Sequence, residues 1–246
     1  MRYIINNSTD PHFNMAFDEW CLEHIDVSEP VFYLWRNRPS VIIGLNQDAA
    51  QEVNLKYLEE HGLLLARRVT GGGAVYHDLQ NLNYTIIGKG VDTTPFVEAL
   101  RSLGLEAEQT GRNDIFVDGK KVSGYARRVW KDRTIVHGTL MYDVDIDTLT
   151  EVLSTPGSKL VSKGIASVRS RVANLKEYLP QFKSLDELQD RLHSILAGSD
   201  TRIELSPSDL AQIRKLSDSK FSTPEWLYRE VAPNHMHNES VTTFAE

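Results

Sequence analysis

An α+β fold, with mixed or antiparallel β-sheets flanked by helices, is predicted for this 246-residue chain by three features of its sequence. Short runs of β-branched and aromatic residues, bounded by turn residues, crowd the N-terminal part of the chain and recur in its middle. Amphipathic stretches fall between and after those runs without the strict alternation of a βαβ repeat. An Asp118-Gly119 pair separates two strand-like runs, which is a strong short-range signal for a hairpin. The apolar fraction of 41% and aromatic fraction of 9% are ordinary for a globular protein, and the length permits a substantial core.

Strands are expected over Tyr3–Asn6, Val31–Arg36, Ser40–Leu45, Leu63–Val69, Ala74–His77 and Leu82–Gly88. The first helix is read in "TDPHFNMAFDEWCLEHI", where Thr9 or Asp10 caps the N-terminus and Pro11 falls in the first turn. "VNLKYLEEHG" reads as a helix stopped by Gly62, and "TTPFVEALRSLG" as one with a capping threonine, an early proline and a terminal glycine. "SLDELQDRLHSILAG" and "SPSDLAQIRKLSD" are two further amphipathic helices, each with a serine as candidate cap. In "NDIFVDGKKVSGYARRVW" the two-residue turn sets Val117 opposite Lys120, Phe116 opposite Lys121, Ile115 opposite Val122 and Asp114 opposite Ser123. Side chains alternate, so Lys121 shares a face with Phe116, Asp114 and Ser123, and Ile115 and Val122 take the other. "TIVHGTLMYDV" is expected to join this sheet as a third strand. There is no internal repeat, low-complexity segment or long linker. One domain over 1–230 is expected, followed by a polar, flexible tail over 231–246.

Composition narrows the function classes. The single cysteine, Cys21, excludes an intramolecular disulfide and any cysteine-based metal knuckle. Its helical spacing with Phe17 and Ile25 favours a packed core position over a nucleophile. A net charge of −7 argues against general nucleic-acid binding. Between Lys120 and Arg171, however, ten basic residues stand against five acidic ones, a local excess of +5. Such a segment is either a set of solvated faces or a field for a polyanion or an acidic partner surface. No apolar run approaches the roughly 20 residues that span a bilayer. The N-terminus lacks a basic region followed by an apolar core, so a cytoplasmic location without membrane association is expected. His235 and His237, an i, i+2 pair in the tail with no nearby carboxylate-rich helix, make a poor metal site.

Three stretches carry chemistry. In "RRVTGGGAVYHD" the consecutive Gly71, Gly72 and Gly73 allow positive φ and close approach to the backbone, so their amides can converge on an anion. A tight turn without a ligand is the plain alternative. Arg67 and Arg68 favour the anion, because guanidinium forks match phosphate and carboxylate geometry. Neither a P-loop nor a Rossmann fingerprint is present. The second stretch holds Lys121, an ammonium on a hairpin face beside Phe116 and Asp114, suited to neutralising carboxylate and phosphate oxygens. The third, "SKGIASVRSRVANL" over 162–175, is either a surface loop or one that orders over a ligand.

Together "RRVTGGGAVYHD", "GRNDIFVDGKKVSGYA", "HGTLMYDV" and "SKGIASVRSRVANL" resemble, in order and spacing, the motifs of the lipoate-protein ligase family. The resemblance runs from about Asn14 to Trp226. It implies a biotin/lipoate-ligase-like catalytic domain, ATP and Mg2+ as cofactors and lipoate as substrate. It also implies a two-step reaction: lipoate attacks the α-phosphate of ATP, and the lipoyl group then passes to a lysine of a lipoyl domain or of the glycine-cleavage H protein. Lys121 would be the catalytic residue, holding the lipoate carboxylate and the α-phosphate through both steps. Arg68, Gly71 and Gly72 would line the lipoyl and phosphate channel, and Gly73, Ala74, Val75 and Tyr76 would meet the nucleotide mainly through backbone. His77, Asn81, Asp114, Ser123, Gly124, His137 and Gly138 would complete the pocket, with Lys163 and Arg169 on a loop over the adenylate. The metal ligands are unassigned, Asp78 being the nearest guess.

Two neighbouring readings remain. Related octanoyl and lipoyl transferases use a cysteine nucleophile, and the corresponding stretch here, "TGRNDIF", has none. A non-catalytic lipoate- or adenylate-binding subunit is the alternative outside enzymes. A biotin-protein ligase is disfavoured by the absence of a "GRGRRG"-type loop. Many ligases of this family carry a small domain after the tryptophan that corresponds to Trp226. The sequence stops about twenty residues beyond it, so either the accessory domain is a separate polypeptide or the protein manages without one; the chain alone is expected to transfer from lipoyl-adenylate but to activate free lipoate poorly.

Overall fold

In the computed structural model, which describes residues 1–111, 113–153, 171–197 and 201–230, the expected strands gather into two sheets. The larger is built from β1 (Arg2–Tyr3), β2 (Val31–Trp35), β6 (Asn81–Gly88), β7 (Ala107–Thr110), β8 (Asp114–Val117), β9 (Lys120–Trp130) and β10 (Arg133–Met141). Its spatial order is β1-β2-β6-β10-β9-β8-β7; β1 and β2 are parallel and the other pairings antiparallel. The smaller sheet runs β4 (Leu64–Arg67), β3 (Ser40–Ile43), β5 (Val75–His77), with β3 parallel to β4 and antiparallel to β5. The predicted α+β class with mixed sheets describes this arrangement.

Helices cover both faces of the large sheet. On one face Phe32, Leu34, Leu82, Tyr84 and Ile86 form a core with α4 (Thr94–Ser102) and α6 (Leu185–Ala197). On the other, Val31, Tyr33, Trp35, Ile87 and Ile135 pack against α1 (Pro11–His24), Ile213 of α7 (Pro207–Leu216) and Phe221. A third core joins the small sheet to α2 (Ala49–Glu52), α3 (Leu55–Glu60) and α5 (Ile146–Val152). Helix α1 lies between the two sheets, which explains why it is buried on most of its circumference and carries Cys21 fully inside. Burial and the nearby Asp18 raise the thiol pKa well above its ordinary value, the opposite of what a nucleophile needs.

Most caps follow the sequence logic. Asp10 accepts from the amides of His12 and Phe13, and Ser206 forms a reciprocal capping box with Asp209. Ser184 accepts from the Glu187 amide at the start of α6. Thr93 is the exception: it sits at the N-cap of α4, but its hydroxyl donates to Gln109 in β7 and makes no cap bond. The stretch "VNLKYLEEHG" supplies only α3, capped by Asn54 and ended at Gly62; the short α2 before it and strand β7 have no counterpart in the sequence reading. The first strand is shorter than expected because Asn6 turns away to donate to Asn14 of α1.

The hairpin forms at Asp118-Gly119, both with positive φ (49° and 75°), as a turn that follows strand twist requires. Its pairing departs from expectation beyond Lys121. Val117 and Phe116 do face Lys120 and Lys121, but Ile115 pairs with Ser123 and Asp114 with Gly124. A β-bulge at Val122 absorbs one residue, which turns Ser123 from the Lys121 face to the core face. β10 joins the sheet as predicted, between β9 and β6. No helix among the described residues is long and apolar enough to cross a membrane. The predicted tail at 231–246, with His235 and His237, lies outside the described residues.

Candidate active site

Strand β6 shows why a cavity opens where it does. Leu82, Tyr84 and Ile86 enter one core, while the alternate residues Asn81, Asn83 and Thr85 face the gap between the sheets, and all six are almost fully buried. That polar face, the small sheet and the inner edge of β9 enclose a cavity of about 150 Å3. Arg68, Gly73, Ala74, Val75, Tyr76, His77, Asn81, Lys121, Gly124, His137 and Gly138 line it, together with apolar residues from two different cores. Met15, Trp35 and Ile42 are deeply buried members of the α1 core. Met141 and Val172, with the half-buried Leu149 and Leu153, belong to the small-sheet core.

The arginines ahead of the glycines are not free forks. Arg67 is completely buried and donates to the carbonyls of Gly44, Leu45, Gln47, Trp226 and Leu227. Trp226 Nε1 returns a bond to the Arg67 carbonyl, so this residue pins the segment around α8 (Pro224–Leu227) to the small sheet. Arg68 donates to the carbonyls of Ile42, Gly71 and Gly73 and to Thr70 Oγ1. Burial lowers its guanidinium to about 10, which leaves it charged at neutral pH. Its main structural effect is to wrap the glycine loop around a fixed cation on the wall of the cavity.

The close approach that the glycines permit is therefore largely internal. Gly72, at φ 97°, would place a Cβ 2.9 Å from Arg68 Nη2, and a Cβ on Gly44 would collide with the Gly72 carbonyl at 2.1 Å. Gly73 alone of the three lines the cavity, and a Cβ there would meet nothing within 4 Å. Gly71 and Gly72 do not line the cavity and pack against Gly44 instead.

Lys121 reaches the same cavity from β9. Its Nζ lies 2.8 Å from Asp114 Oδ1, with both side chains largely buried. Gly124 makes room for it, since a Cβ there would stand 3.3 Å from the ammonium. The backbone is held as firmly: Lys121 N donates to the Arg171 carbonyl and Ala173 N donates to the Lys121 carbonyl, so 171–173 adds as a short parallel strand. Asp114 thus backs Lys121 without lining the cavity, and Ser123 is buried on the far face of the sheet.

A buried polar network forms the floor. His137 Nδ1 is 2.6 Å from Asp18 Oδ2, and its Nε2 is 2.7 Å from Thr70 Oγ1, which also accepts from Arg68. Asp18 Oδ1 accepts from the Tyr33 and Thr85 hydroxyls, and Trp35 Nε1 donates to Thr85. Helix α1, three strands and the glycine loop are locked together by these bonds. His77 has a different setting: Asn14 Nδ2 donates to Asn37 Oδ1, which orients Asn37 so that its Nδ2 donates to His77 Nδ1. Burial, then Arg68 and His137, push His77 down to about 3, so the ring is neutral with its proton on Nε2.

Lys163 and Arg169 lie outside the described residues. Among the described residues no group of three or more His, Cys, Asp or Glu side chains could hold a metal. Asp78 does not fit the part, because its oxygens accept from the amides of Gln80 and Asp145 and it is not on the cavity wall. Met15, Trp35, Asn83, Asn113, Tyr125 and Val172 line the cavity and were not singled out from the sequence. For Asn83 the signal was present, as one of two asparagines at i, i+2 in a strand otherwise rich in core residues.

A family model described as the lipoyl protein ligase A/B catalytic domain matches residues 10–197. Lipoate-protein ligase LplJ of Bacillus subtilis is 40% identical over 243 residues, covering 93% of this chain and 73% of the relative. Among solved structures, a chain of a bi-partite lipoate protein ligase from Thermoplasma acidophilum, described with its E2 lipoyl domain, superposes with a TM-score of 0.80 at 32% identity. The match covers 94% of this chain and 98% of that one. A lipoate-protein ligase A structure bound with ATP gives a TM-score of 0.79 at 30% identity, covering 92% and 98%.

Proposed function

The chain belongs to the lipoyl protein ligase A/B catalytic-domain family, and on that premise we propose that it is an ATP-dependent lipoate-protein ligase. Lipoate's carboxylate oxygen attacks the α-phosphorus of ATP, and the bond to the β-phosphate breaks with release of pyrophosphate. An acceptor lysine then attacks the acyl carbon, AMP leaves with the bonding pair, and the amine gives up a proton. The observation that carries this reading is the meeting of the Lys121 ammonium and the Gly73–Tyr76 backbone across one cavity with apolar walls.

The two apolar walls suit different halves of the intermediate. Met15, Trp35 and Ile42 offer a deep, dry end for an alkyl chain and its ring. Leu149 and Leu153, nearer the surface, suit a purine that must keep its ribose hydrated. On this reading Lys121 serves the point where carboxylate and α-phosphate meet, and its ion pair with Asp114 fixes the ammonium before substrate arrives. Charge held in place within a dry site is worth more than the same charge in water, and positioning supplies the remainder of the acceleration. Magnesium would travel with ATP, held mainly by phosphate oxygens and water. The acceptor is a lipoyl domain or H protein, and a separate accessory subunit assists adenylation, a reading supported by the likeness to a chain of the bi-partite ligase described with its E2 lipoyl domain.

A cysteine-dependent transferase is disfavoured by the placement of the sole cysteine in the α1 core. The test is intact-mass analysis of a lipoyl domain incubated with this protein and lipoate, with and without ATP and magnesium, beside the Lys121→Ala variant. ATP-dependent addition of lipoyl, lost in Lys121→Ala, is expected. ATP-independent transfer from an acylated carrier would replace this reading with acyl exchange; adenylate binding without modification, even with a candidate partner, would leave a non-catalytic subunit. Full-rate modification without a second polypeptide would remove the accessory-subunit proposal.

A further inference from the structure

Two buried nitrogen donors in the cavity have no partner among the described residues: His77 Nε2 and Asn83 Nδ2. Their side chains are otherwise firmly held. His77 Nδ1 accepts from Asn37, and Asn83 Oδ1 accepts from Asn81 Nδ2 at 2.8 Å. Leaving a buried N–H unpaired costs about 1–3 kcal/mol, and native proteins leave few such groups without a reason. Both residues line one cavity, and both are at least nine-tenths buried.

Their position relative to Lys121 follows from strand register. Asn83 is the register partner of Trp35 on one side and of Thr139 on the other. Thr139 Oγ1 accepts from the amide of Gly124, the residue beneath the Lys121 ammonium. Asn83 thus stands two strands, roughly 10 Å at the backbone, from Gly124, and the side chains narrow that gap. His77 shares the Trp35 neighbour of Asn83: its ring is edge-on to the Trp35 ring, with the centroids 6.2 Å apart.

We propose that His77 Nε2–H and Asn83 Nδ2–H form a neutral donor pair for the acyl oxygen of the activated substrate. This rests on the ligase reading, in which the acyl carbon lies between Lys121 and the deep apolar end. That oxygen begins as one of the carboxylate pair, becomes the carbonyl of the mixed anhydride, and gathers negative charge when the acceptor amine adds to the acyl carbon. Uncharged donors fit this sequence: they stabilise the developing charge without holding the free carboxylate as tightly as a second cation would. The ring also stays neutral over the working pH range, so its proton remains on Nε2 to donate.

Asn83→Leu keeps the branched heavy-atom shape of the side chain and removes the donor, together with the acceptor of the Asn81 bond. With enzyme preloaded with lipoyl-adenylate and mixed with a lipoyl domain, single-turnover transfer should fall about 100-fold. Adenylate affinity should fall by less than about tenfold, and Asn83→His, which restores an N–H at similar reach, should recover part of the rate. In a second arm, wild-type protein labelled with nitrogen-15 in its histidines is titrated with a non-hydrolysable lipoyl-sulfamoyl adenosine. The His77 Nε2–H resonance should move downfield and exchange more slowly with water. A folded Asn83→Leu variant with unimpaired transfer, or a His77 signal unmoved by a bound analogue, overturns the donor pair while leaving the ligase reading intact. Wild-type protein that neither binds the analogue nor transfers from the adenylate overturns both.

Discussion

The two faces of strand β6 are equally buried and do opposite things. Leu82, Tyr84 and Ile86 fill a core whose worth is the apolar surface removed from water. Asn81, Asn83 and Thr85 are as inaccessible, yet each is polar, and what they contribute depends on whether a partner is supplied. Thr85 is satisfied twice within the fold, by Asp18 and Trp35, whereas the Asn83 amide nitrogen is left waiting. Along one strand, then, the polar face passes from structure to site within two residues.

The largest effects should come from breaking the satisfied part of that face and comparing it with the apolar one. Asp18→Ala strands the Tyr33 and Thr85 hydroxyls and His137 Nδ1 in the interior, at about 1–3 kcal/mol for each orphaned group. Leu82→Ala, on the opposite face, should cost about 2–5 kcal/mol through lost transfer energy and a residual cavity. Denaturant unfolding of both variants measures the difference. The contrast sharpens in the ligand: Leu82→Ala should leave the affinity of the protein for lipoyl-adenylate close to that of wild type, and Asp18→Ala should weaken it, because Asp18 holds His137 and through it Thr70 at the start of the glycine loop. Equal losses of affinity would show that the two faces are not functionally distinct.

How far the sequence revealed this molecule follows the same division. The hairpin turn, most strand positions, the helix caps at Asp10 and Ser206 and the burial of Cys21 were legible, because each rests on local chemistry: φ preference, capping oxygens, or the period of apolar residues. The glycine loop and Lys121 stood out for the same reason. What remained hidden depends on contacts made across the fold. Nothing in "RRV" tells that Arg67 reaches Trp226, 159 positions later, or that Arg68 encircles its own loop, so the expectation that both forks face an anion was too generous. The bulge at Val122 is equally invisible locally, and it moved Ser123 to the core face. For Asn83 the only local signal is its i, i+2 spacing from Asn81 in a strand rich in core residues; that this polar face is buried at all depends on the second layer, α1 and the small sheet.

A smaller effect, and one with a sign, comes from His77. Its folded pKa is depressed from 6.5 to about 3, so below 6.5 the unfolded chain binds a proton that the native ring refuses. Its contribution is complete above the unfolded value and is lost as pH falls from about 6.5 towards 3, at up to about 1.4 kcal/mol for each pH unit. Carboxylates that titrate at the lower end of that window add to the loss, so the measurement is a difference: unfolding midpoints at pH 7 and pH 5 for wild type and for His77→Gln. The variant should show the shallower acid dependence. An identical pH slope would mean that the ring is not held neutral, and the fixed Nε2 proton would go with it.

The smallest expected change in stability is the most discriminating. If the Asn83 amide nitrogen has no partner in the unliganded fold, replacing it with leucine removes an unsatisfied donor and adds apolar contact beside Trp35, at the expense of one bond from Asn81. These terms oppose one another, and Asn83→Leu should lie within about 1 kcal/mol of wild type. Thr85→Val, two residues along the same face, removes two satisfied bonds and should be distinctly less stable. Residues kept for a ligand commonly weaken the empty protein, so a near-neutral or stabilising Asn83→Leu paired with a large kinetic loss is what a binding position should show. If Asn83→Leu instead destabilises the fold as much as Thr85→Val, the amide has a structural partner after all, and the boundary between structure and site on β6 does not lie between residues 83 and 85.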